Sequence, residues 1–71
     1  MIEVTSPMPA SVYQVLVSKG EAVKEGQELI ILESMKMEIP VESPAAGTVE
    51  EICVEAGAAV NENDVLIRIA P

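Results

Sequence analysis

The sequence predicts an all-β domain built from two similar halves, and four observations support this. The apolar residues fall in short runs rich in valine and isoleucine, and each run is too short for an ordinary helix. Proline, glycine and asparagine separate these runs, as turn residues do between strands. No stretch keeps the 3.6-residue apolar period of a helix, and the second half of the chain repeats the first. The runs span residues 12–17, 29–32, 49–54 and 65–69.

The repeat appears when the sequence is shifted by 37 positions. Twelve of the 31 pairs formed between residues 2–32 and 39–69 are then identical, where composition alone gives roughly three. The identical residues of the first copy are Ile2, Val4, Ser6, Pro7, Val12, Val17, Gly20, Ala22, Val23, Glu25, Leu29 and Ile30. One copy is too small to bury a core. We therefore expect two four-stranded antiparallel sheets, related by a pseudo-two-fold axis, that close on each other as a flattened β-barrel or sandwich.

Two local features should appear in both halves. The apolar spacing from Val12 to Val15 is odd, as is its counterpart from Val49 to Ile52, which predicts a β-bulge in each half. Gly26 aligns with Asn63 at a turn, and these residue types tolerate a positive φ best.

Size and composition limit the chemistry that the chain can perform. The 71 residues allow one domain, spanning 1–71. There is no histidine, which excludes His-based acid–base catalysis and His-containing metal sites, and we predict neither catalytic nor metal-binding residues. Cys53 is the single cysteine, so no internal disulfide can form. It lies between Ile52 and Val54, and we expect it to be a small apolar filler.

Charge narrows the set of partners. The net charge of −8 disfavours binding to nucleic acids and to anionic membrane surfaces, because both are recognised by cationic side chains. The longest unbroken apolar run, 29–32, is far too short to span a membrane. No signal-peptide pattern opens the sequence, and a lone cysteine is typical of reduced compartments, so we expect a cytoplasmic location.

The segment between the two copies is the most unusual part of the sequence. It reads Glu33-Ser34-Met35-Lys36-Met37-Glu38 and must reverse the chain, yet it holds none of the residues that normally make turns. Its counterpart under the repeat is the chain terminus, so we expect the segment to be exposed and to point away from both ends. Lys36 alone could be an ordinary solvated lysine, but its position at the midpoint of a duplication between two methionines favours a recognition site.

These six residues resemble the attachment motif of biotinyl domains, whose core is Met-Lys-Met. The resemblance extends over nearly the whole chain, since Ser6-Pro7-Met8-Pro9 and Gly47-Thr48-Val49 are similar to the openings of the two family repeats. Lipoyl domains share the fold and place a lysine in the same hairpin, but typically within Asp-Lys-Ala. The chain departs from the family at Ser34, where alanine is common, and at Ala10 and Asn63, where glycine is usual. Residues 8–11 leave no room for the protruding thumb of some carriers, so a thumbless biotin carboxyl carrier is expected.

The resemblance implies a function and a set of partners. Biotin would be joined to Lys36 by a biotin protein ligase, with Met35 and Met37 as flanking recognition residues and Glu33, Ser34 and Glu38 completing the hairpin. The attached group would then accept a carboxyl group at a biotin carboxylase and deliver it at a carboxyltransferase. The domain itself would be a monomeric, non-catalytic carrier.

Three alternatives remain open from the sequence. The first is a lipoyl carrier, and the second is an unmodified interaction module with the same fold. The third is a phosphopantetheine carrier modified at Ser34, suggested by Glu-Ser-Met; the strand pattern disfavours it, because such carriers are helical bundles.

Overall fold

A computed structural model describes all residues, 1–71, and contains eight β-strands. The strands are β1 (Ile2–Thr5), β2 (Ala10–Val15), β3 (Ala22–Val23), β4 (Glu28–Ser34), β5 (Met37–Glu42), β6 (Gly47–Ile52), β7 (Ala59–Val60) and β8 (Val65–Ala70). The structure contains no helix that is long and apolar enough to cross a membrane.

The strands form two antiparallel sheets of four strands each. Sheet I has the order β1-β8-β6-β3, and sheet II has the order β5-β4-β2-β7. A shift of 37 residues converts each strand of sheet I into the strand at the same place in sheet II, so the predicted pseudo-two-fold repeat is confirmed. Each sheet keeps two edge strands. Of the two expected forms, the molecule is therefore a flattened sandwich and not a closed barrel.

The predicted bulges are present at equivalent places in both halves. The register between β2 and β4 shifts between Val12 and Gln14, which leaves Tyr13 as the additional residue. The register between β6 and β8 shifts between Val49 and Glu51 in the same way. The turn prediction is confirmed too, since Gly26 and Asn63 have φ values of 84° and 72°.

The core lies between the sheets and is entirely aliphatic. Six of its buried side chains in the first half have buried counterparts in the second, which is how two small halves share one core. The buried apolar residues are Val4, Val12, Val17, Val23, Leu29, Ile30, Leu32, Val41, Val49, Val60, Leu66, Ile67 and Ile69. Ser6 and Ser43 are the buried polar residues, and each hydroxyl donates a hydrogen bond to a carbonyl two residues ahead, that of Met8 or Ala45. Satisfied in this way, the two hydroxyls can be buried without a large penalty.

Gly47, at the start of β6, should not tolerate a side chain. A Cβ atom there would lie 2.7 Å from Cγ2 of Ile69 and closer still to the carbonyl oxygen of Ala70. We expect Gly47→Ala to cost about 1–3 kcal/mol of stability, because the backbone of β8 must shift. For a domain of this size that lowers the midpoint of thermal unfolding by roughly 4–8 °C per kcal/mol.

Ala10 provides the control for this prediction, because it occupies the same position in the first half and already has a Cβ. Ala10→Gly should cost about 1 kcal/mol or less, since it only loosens the backbone. Thermal unfolding followed by circular dichroism compares the two variants. A Gly47→Ala midpoint equal to that of the wild type would show that β8 yields freely at this contact.

Candidate functional site

The hairpin between β4 and β5 contains the residues singled out from the sequence. Its ladder continues outward through Glu33–Glu38 to Ser34–Met37, so only Met35 and Lys36 form the loop. Both have positive φ, 52° for Met35 and 67° for Lys36. A two-residue loop with this backbone is a type I′ turn, the connection whose twist matches that of antiparallel strands.

The turn holds two residues in a conformation they do not prefer. Type I′ turns usually contain Asn-Gly, because left-handed backbone costs other L-residues roughly 1–2 kcal/mol each. At this turn the cost is offset by the long ladder below it, where Leu32 pairs with Ile39 over the core. The strained turn keeps Lys36 in one fixed backbone conformation at the outermost point of the hairpin.

This strain leads to a prediction on stability. Met35→Asn should raise the free energy of unfolding by up to about 1 kcal/mol, because asparagine tolerates the left-handed region better than methionine does. Met37→Asn is the matched control, since Met37 lies in β5 with extended backbone and should gain nothing. Denaturant titration of both variants provides the comparison. An equal response of the two variants would mean that the turn stores no strain.

The side chains at the tip point into solvent. Met35 is 91% exposed and Met37 is 60% exposed, which is unusual for apolar side chains. Lys36 is also exposed. Its ammonium group takes part in none of the side-chain hydrogen bonds or ion pairs of the structure. The amine is therefore free to enter the active site of another protein, with an apolar side chain on either side.

Arg68, unlike Lys36, is held in place by ion pairs within its own sheet. Its Nε donates to Glu3 at 3.2 Å and its Nη1 donates to Glu51 at 2.6 Å, so the side chain is held across β1, β8 and β6. The hydrogen bonds to Glu51 and then Glu3 raise the pKa of Arg68 above its ordinary value. Arg68 is thus tied to its own sheet, whereas Lys36 is not.

The two carboxylates nearest Lys36 in sequence do not restrain it. Glu33 and Glu38 lie directly opposite each other across the ladder, and both are exposed. Neither forms an ion pair. The structure therefore brings all six predicted residues into one hairpin, but it builds no general base and no pocket around the lysine. The surface has one shallow depression, which does not include the hairpin and is lined by residues between Ile52 and Ala59.

The hairpin and the chain termini occupy equivalent places in the two halves. Ile2 pairs with Ile69 next to the termini, and the corresponding pair in sheet II is Ile39 with Leu32 at the base of the hairpin. Residues related by a two-fold axis lie on opposite sides of it. The attachment of further chain at either terminus would accordingly leave the hairpin accessible.

The prediction for Cys53 is wrong. Its side chain is exposed, and its sulfur accepts a long hydrogen bond from Nη1 of Arg68 at 3.4 Å. The bulge in β6 explains the difference, because the extra residue reverses which of the following side chains face the core. Its counterpart Leu16, which follows the equivalent bulge, is exposed for the same reason.

Sequence reasoning also missed the three-strand arrangement around Arg68. Nothing in the sequence links Glu3 to Arg68, which are 65 residues apart. Only the register of β1 against β8 places Glu3 opposite Arg68. That register can be derived from the repeat only after the pairing of the strands is known.

A compact sandwich that presents one free lysine on a strained, protruding hairpin defines a class of protein, the domains to which a prosthetic group is covalently attached. Comparison with known proteins identifies the family. The model of the family described as "Biotin-requiring enzyme" matches residues 2–69. The chain therefore belongs to the biotin/lipoyl attachment family.

Individual relatives agree with this assignment. The chain is 42% identical over 67 residues to the biotin/lipoyl attachment protein of Bacillus subtilis, covering 94% of this chain and 92% of that protein. It is 49% identical over 65 residues to the biotin carboxyl carrier protein of Streptococcus mutans, covering 92% of this chain and 50% of that protein. The crystal structure of the urea carboxylase of Kluyveromyces lactis superposes with a TM-score of 0.92 at 26% identity, over 97% of this chain and 6% of that one.

The fraction of each relative that this chain covers differs widely. The chain spans nearly all of the Bacillus protein, half of the Streptococcus carrier and a small fraction of the urea carboxylase. The shared unit is therefore the attachment domain, and the relatives that contain it include a 2-oxoglutarate carboxylase large subunit and a biotin carboxyl carrier protein.

Proposed function

We propose that the chain is a biotin carboxyl carrier and that Lys36 is its attachment site. The observation behind this proposal is the free, exposed amine of Lys36, held between two exposed methionines on a type I′ turn. Attachment joins the lysine nitrogen to the carboxyl carbon of biotin. The amine displaces AMP from biotinyl-adenylate, an amide bond forms, and the amine loses a proton.

The chain's own residues present the lysine and do not activate it. An alkylammonium must lose a proton before it can attack, and no side chain of the hairpin contacts Nζ of Lys36 to accept one. The base is thus supplied by the biotin protein ligase. The contribution of the hairpin is a fixed backbone, which reduces the conformational freedom lost when the lysine enters the ligase.

The carrier step follows from this geometry. Attached biotin supplies a ring nitrogen that accepts and releases a carboxyl group. The hairpin offers the same protruding handle to a biotin carboxylase and to a carboxyltransferase. The chain catalyses neither reaction and acts as one domain, monomeric and cytoplasmic. A link to these partners, covalent or not, raises the local concentration of the attached group at both active sites.

Parallel modification reactions test the proposal. The purified chain is incubated with a biotin ligase, biotin and ATP, and separately with a lipoate ligase, lipoate and ATP. Intact-mass spectrometry should show one biotinyl group per chain in the first reaction and none or little modification in the second. Lipoylation that is faster than biotinylation would contradict the proposal and favour the lipoyl carrier. A chain unmodified in both reactions would favour the interaction module.

A further inference from the structure

The outer face of sheet II has an apolar centre that the fold itself does not require. Ile31 of β4 and Pro40 of β5 lie side by side at this centre, and the polar Gln14 of β2 pairs with Ile31 on its other side. Tyr13 in β2 and Leu16, the residue directly after β2, extend this centre, with exposures of 53% and 39%. We call these five residues the sheet II face. It contains the only aromatic residue of the chain.

The duplication supplies an internal control for this face. In sheet I the places of Gln14, Ile31 and Pro40 are taken by Glu51, Arg68 and Glu3, which form the ion-paired group described above. The places of Tyr13 and Leu16 are taken by Glu50 and Cys53. The same backbone is therefore stable with charged residues at these positions. Aliphatic and aromatic side chains on the sheet II face are not needed for folding, and exposed apolar patches of this kind mark interaction sites.

Carboxylates border the sheet II face at both ends of the hairpin ladder. Glu28 is paired directly with Glu42, and Glu33 directly with Glu38, and all four are exposed and without an ion-pair partner. Like charges directly opposite each other destabilise a sheet. Their counterparts in sheet I are Val65, Thr5, Ala70 and Met1, which carry no side-chain charge. The acidic border is thus a second property that only sheet II has.

These two properties define the chemistry of the occupant. An apolar centre bordered by four unpaired carboxylates is complementary to an apolar surface surrounded by lysine and arginine residues. A second copy of this chain does not fit, because the chain carries a net charge of −8 and would repel itself.

The sheet II face lies next to the hairpin that carries Lys36, and this location indicates which partner of the carrier would bind it. Strands β4 and β5 run from the sheet II face directly into the hairpin, so a protein bound at the tip can extend onto this face. The ligase must reach the amine of an unmodified lysine, whereas later partners meet a longer biotinylated side chain. The body of the ligase therefore has to approach the domain most closely.

We propose that the sheet II face is the surface on which the biotin protein ligase docks, through an apolar contact at Tyr13, Leu16, Ile31 and Pro40 surrounded by cationic groups. This inference rests on the proposed function. It adds a docking surface outside the hairpin and describes the ligase surface that fits it, which is apolar and surrounded by cationic groups.

Two double variants with unchanged net charge test the proposal. Gln14→Glu/Ile31→Arg places on sheet II the ion pair that sheet I already accommodates, and Glu51→Gln/Arg68→Ile makes the reverse change on sheet I. Initial rates of biotin incorporation at Lys36 are measured over a range of carrier concentrations. We expect kcat/KM of the sheet II variant to fall about tenfold or more, mainly through a higher KM, since central apolar contacts dominate docking. The sheet I variant should stay within about twofold of the wild type, because it lies outside the contact.

Thermal unfolding and the salt dependence complete the test. Both variants should unfold cooperatively near the wild-type temperature, and any loss of folding would be visible as a lower midpoint. For the wild type, KM should rise with added NaCl, and Glu28→Gln/Glu42→Gln should reduce that rise. A further control is chemical acylation of Lys36 by a small activated ester, which needs no docking and should be equal in all variants.

The outcomes separate the two proposals. A wild-type chain that takes no biotin contradicts the proposed function and the docking surface together. A wild-type chain that is biotinylated, with a sheet II variant that matches it, contradicts the docking surface alone. Equal losses in the sheet I and sheet II variants also contradict it, as does a sheet II variant impaired only in later carboxylation.

Discussion

We expect Lys36→Arg to abolish biotin attachment. Arginine keeps the positive charge and most of the length of the side chain, but its guanidinium is a poor nucleophile that stays protonated. The hairpin backbone should be unchanged, because the φ of 67° at this position suits arginine no worse than lysine. We expect no biotinylated product in intact-mass spectrometry and no retention on streptavidin, under conditions that modify the wild type completely.

Lys24→Arg is the matched control for this substitution. Lys24 is also exposed and lies in a turn with no ion pair, but at a place that the repeat maps onto Asn61 and away from the hairpin. This variant should be biotinylated at the wild-type rate. Product formed on Lys36→Arg, or a loss of product on Lys24→Arg, would place the attachment site on a different lysine.

Leu32→Ala should have the largest effect on stability. Leu32 is fully buried in β4, directly below the hairpin, where it pairs with Val12 on one side and Ile39 on the other. Truncating a buried leucine costs about 2–5 kcal/mol, because apolar contacts are lost and a cavity remains. Small proteins have roughly 0.05–0.15 kcal/mol of stability per residue, so this one change approaches the total for a chain of this length. We expect a largely unfolded protein at 37 °C.

Leu16→Ala makes the same chemical change at an exposed position and serves as the control. Its cost should be within about 0.5 kcal/mol, as is usual for surface substitutions. Urea titration of the two variants gives the free energies of unfolding directly. If Leu32→Ala were no less stable than Leu16→Ala, the core would not be the source of stability in this fold.

The repeat explains why so much of the fold follows from the sequence. Once residues 2–32 and 39–69 are recognised as two copies, strands, turns and bulges found in one half apply to the other. The odd apolar spacing after Val12 was enough to predict both bulges. The alignment of Gly26 with Asn63 under the repeat was enough to predict two turns with positive φ. The hairpin at residues 33–38 was located by its place between the copies.

Features that depend on strand register could not be predicted in this way. The sequence of the hairpin indicates a turn without saying that only Met35 and Lys36 form it, because the ladder through Ser34 and Met37 is a property of the folded sheet. The close approach of Gly47 to β8 and the cross-strand contacts of Arg68 are likewise set by register. Cys53 is a different case, because the bulge was predicted: beyond it Ile52 and Val54 pack against the core, and alternation turns the residue between them outward.

The divergence of the two sheet faces is visible only when the repeat and the structure are combined. The sequence shows that Ile31 corresponds to Arg68, but not that each lies at the centre of an exposed three-strand row. The duplication allows one half to serve as a reference for what the fold requires. Where sheet II departs from that reference, at its apolar centre and its acidic border, a role outside folding is the simplest physical reason.

The central claim is that biotin is attached to Lys36 and to no other residue, and mapping of the modified site tests it most directly. The wild-type chain is biotinylated by a biotin ligase, digested with a protease that cleaves at glutamate, and sequenced by tandem mass spectrometry. The account predicts a single biotinyl group on the lysine of the peptide Ser34-Met35-Lys36-Met37-Glu38. Biotin found on Lys19 or Lys24, or a lipoyl group on Lys36 in a cell that supplies both cofactors, would contradict it.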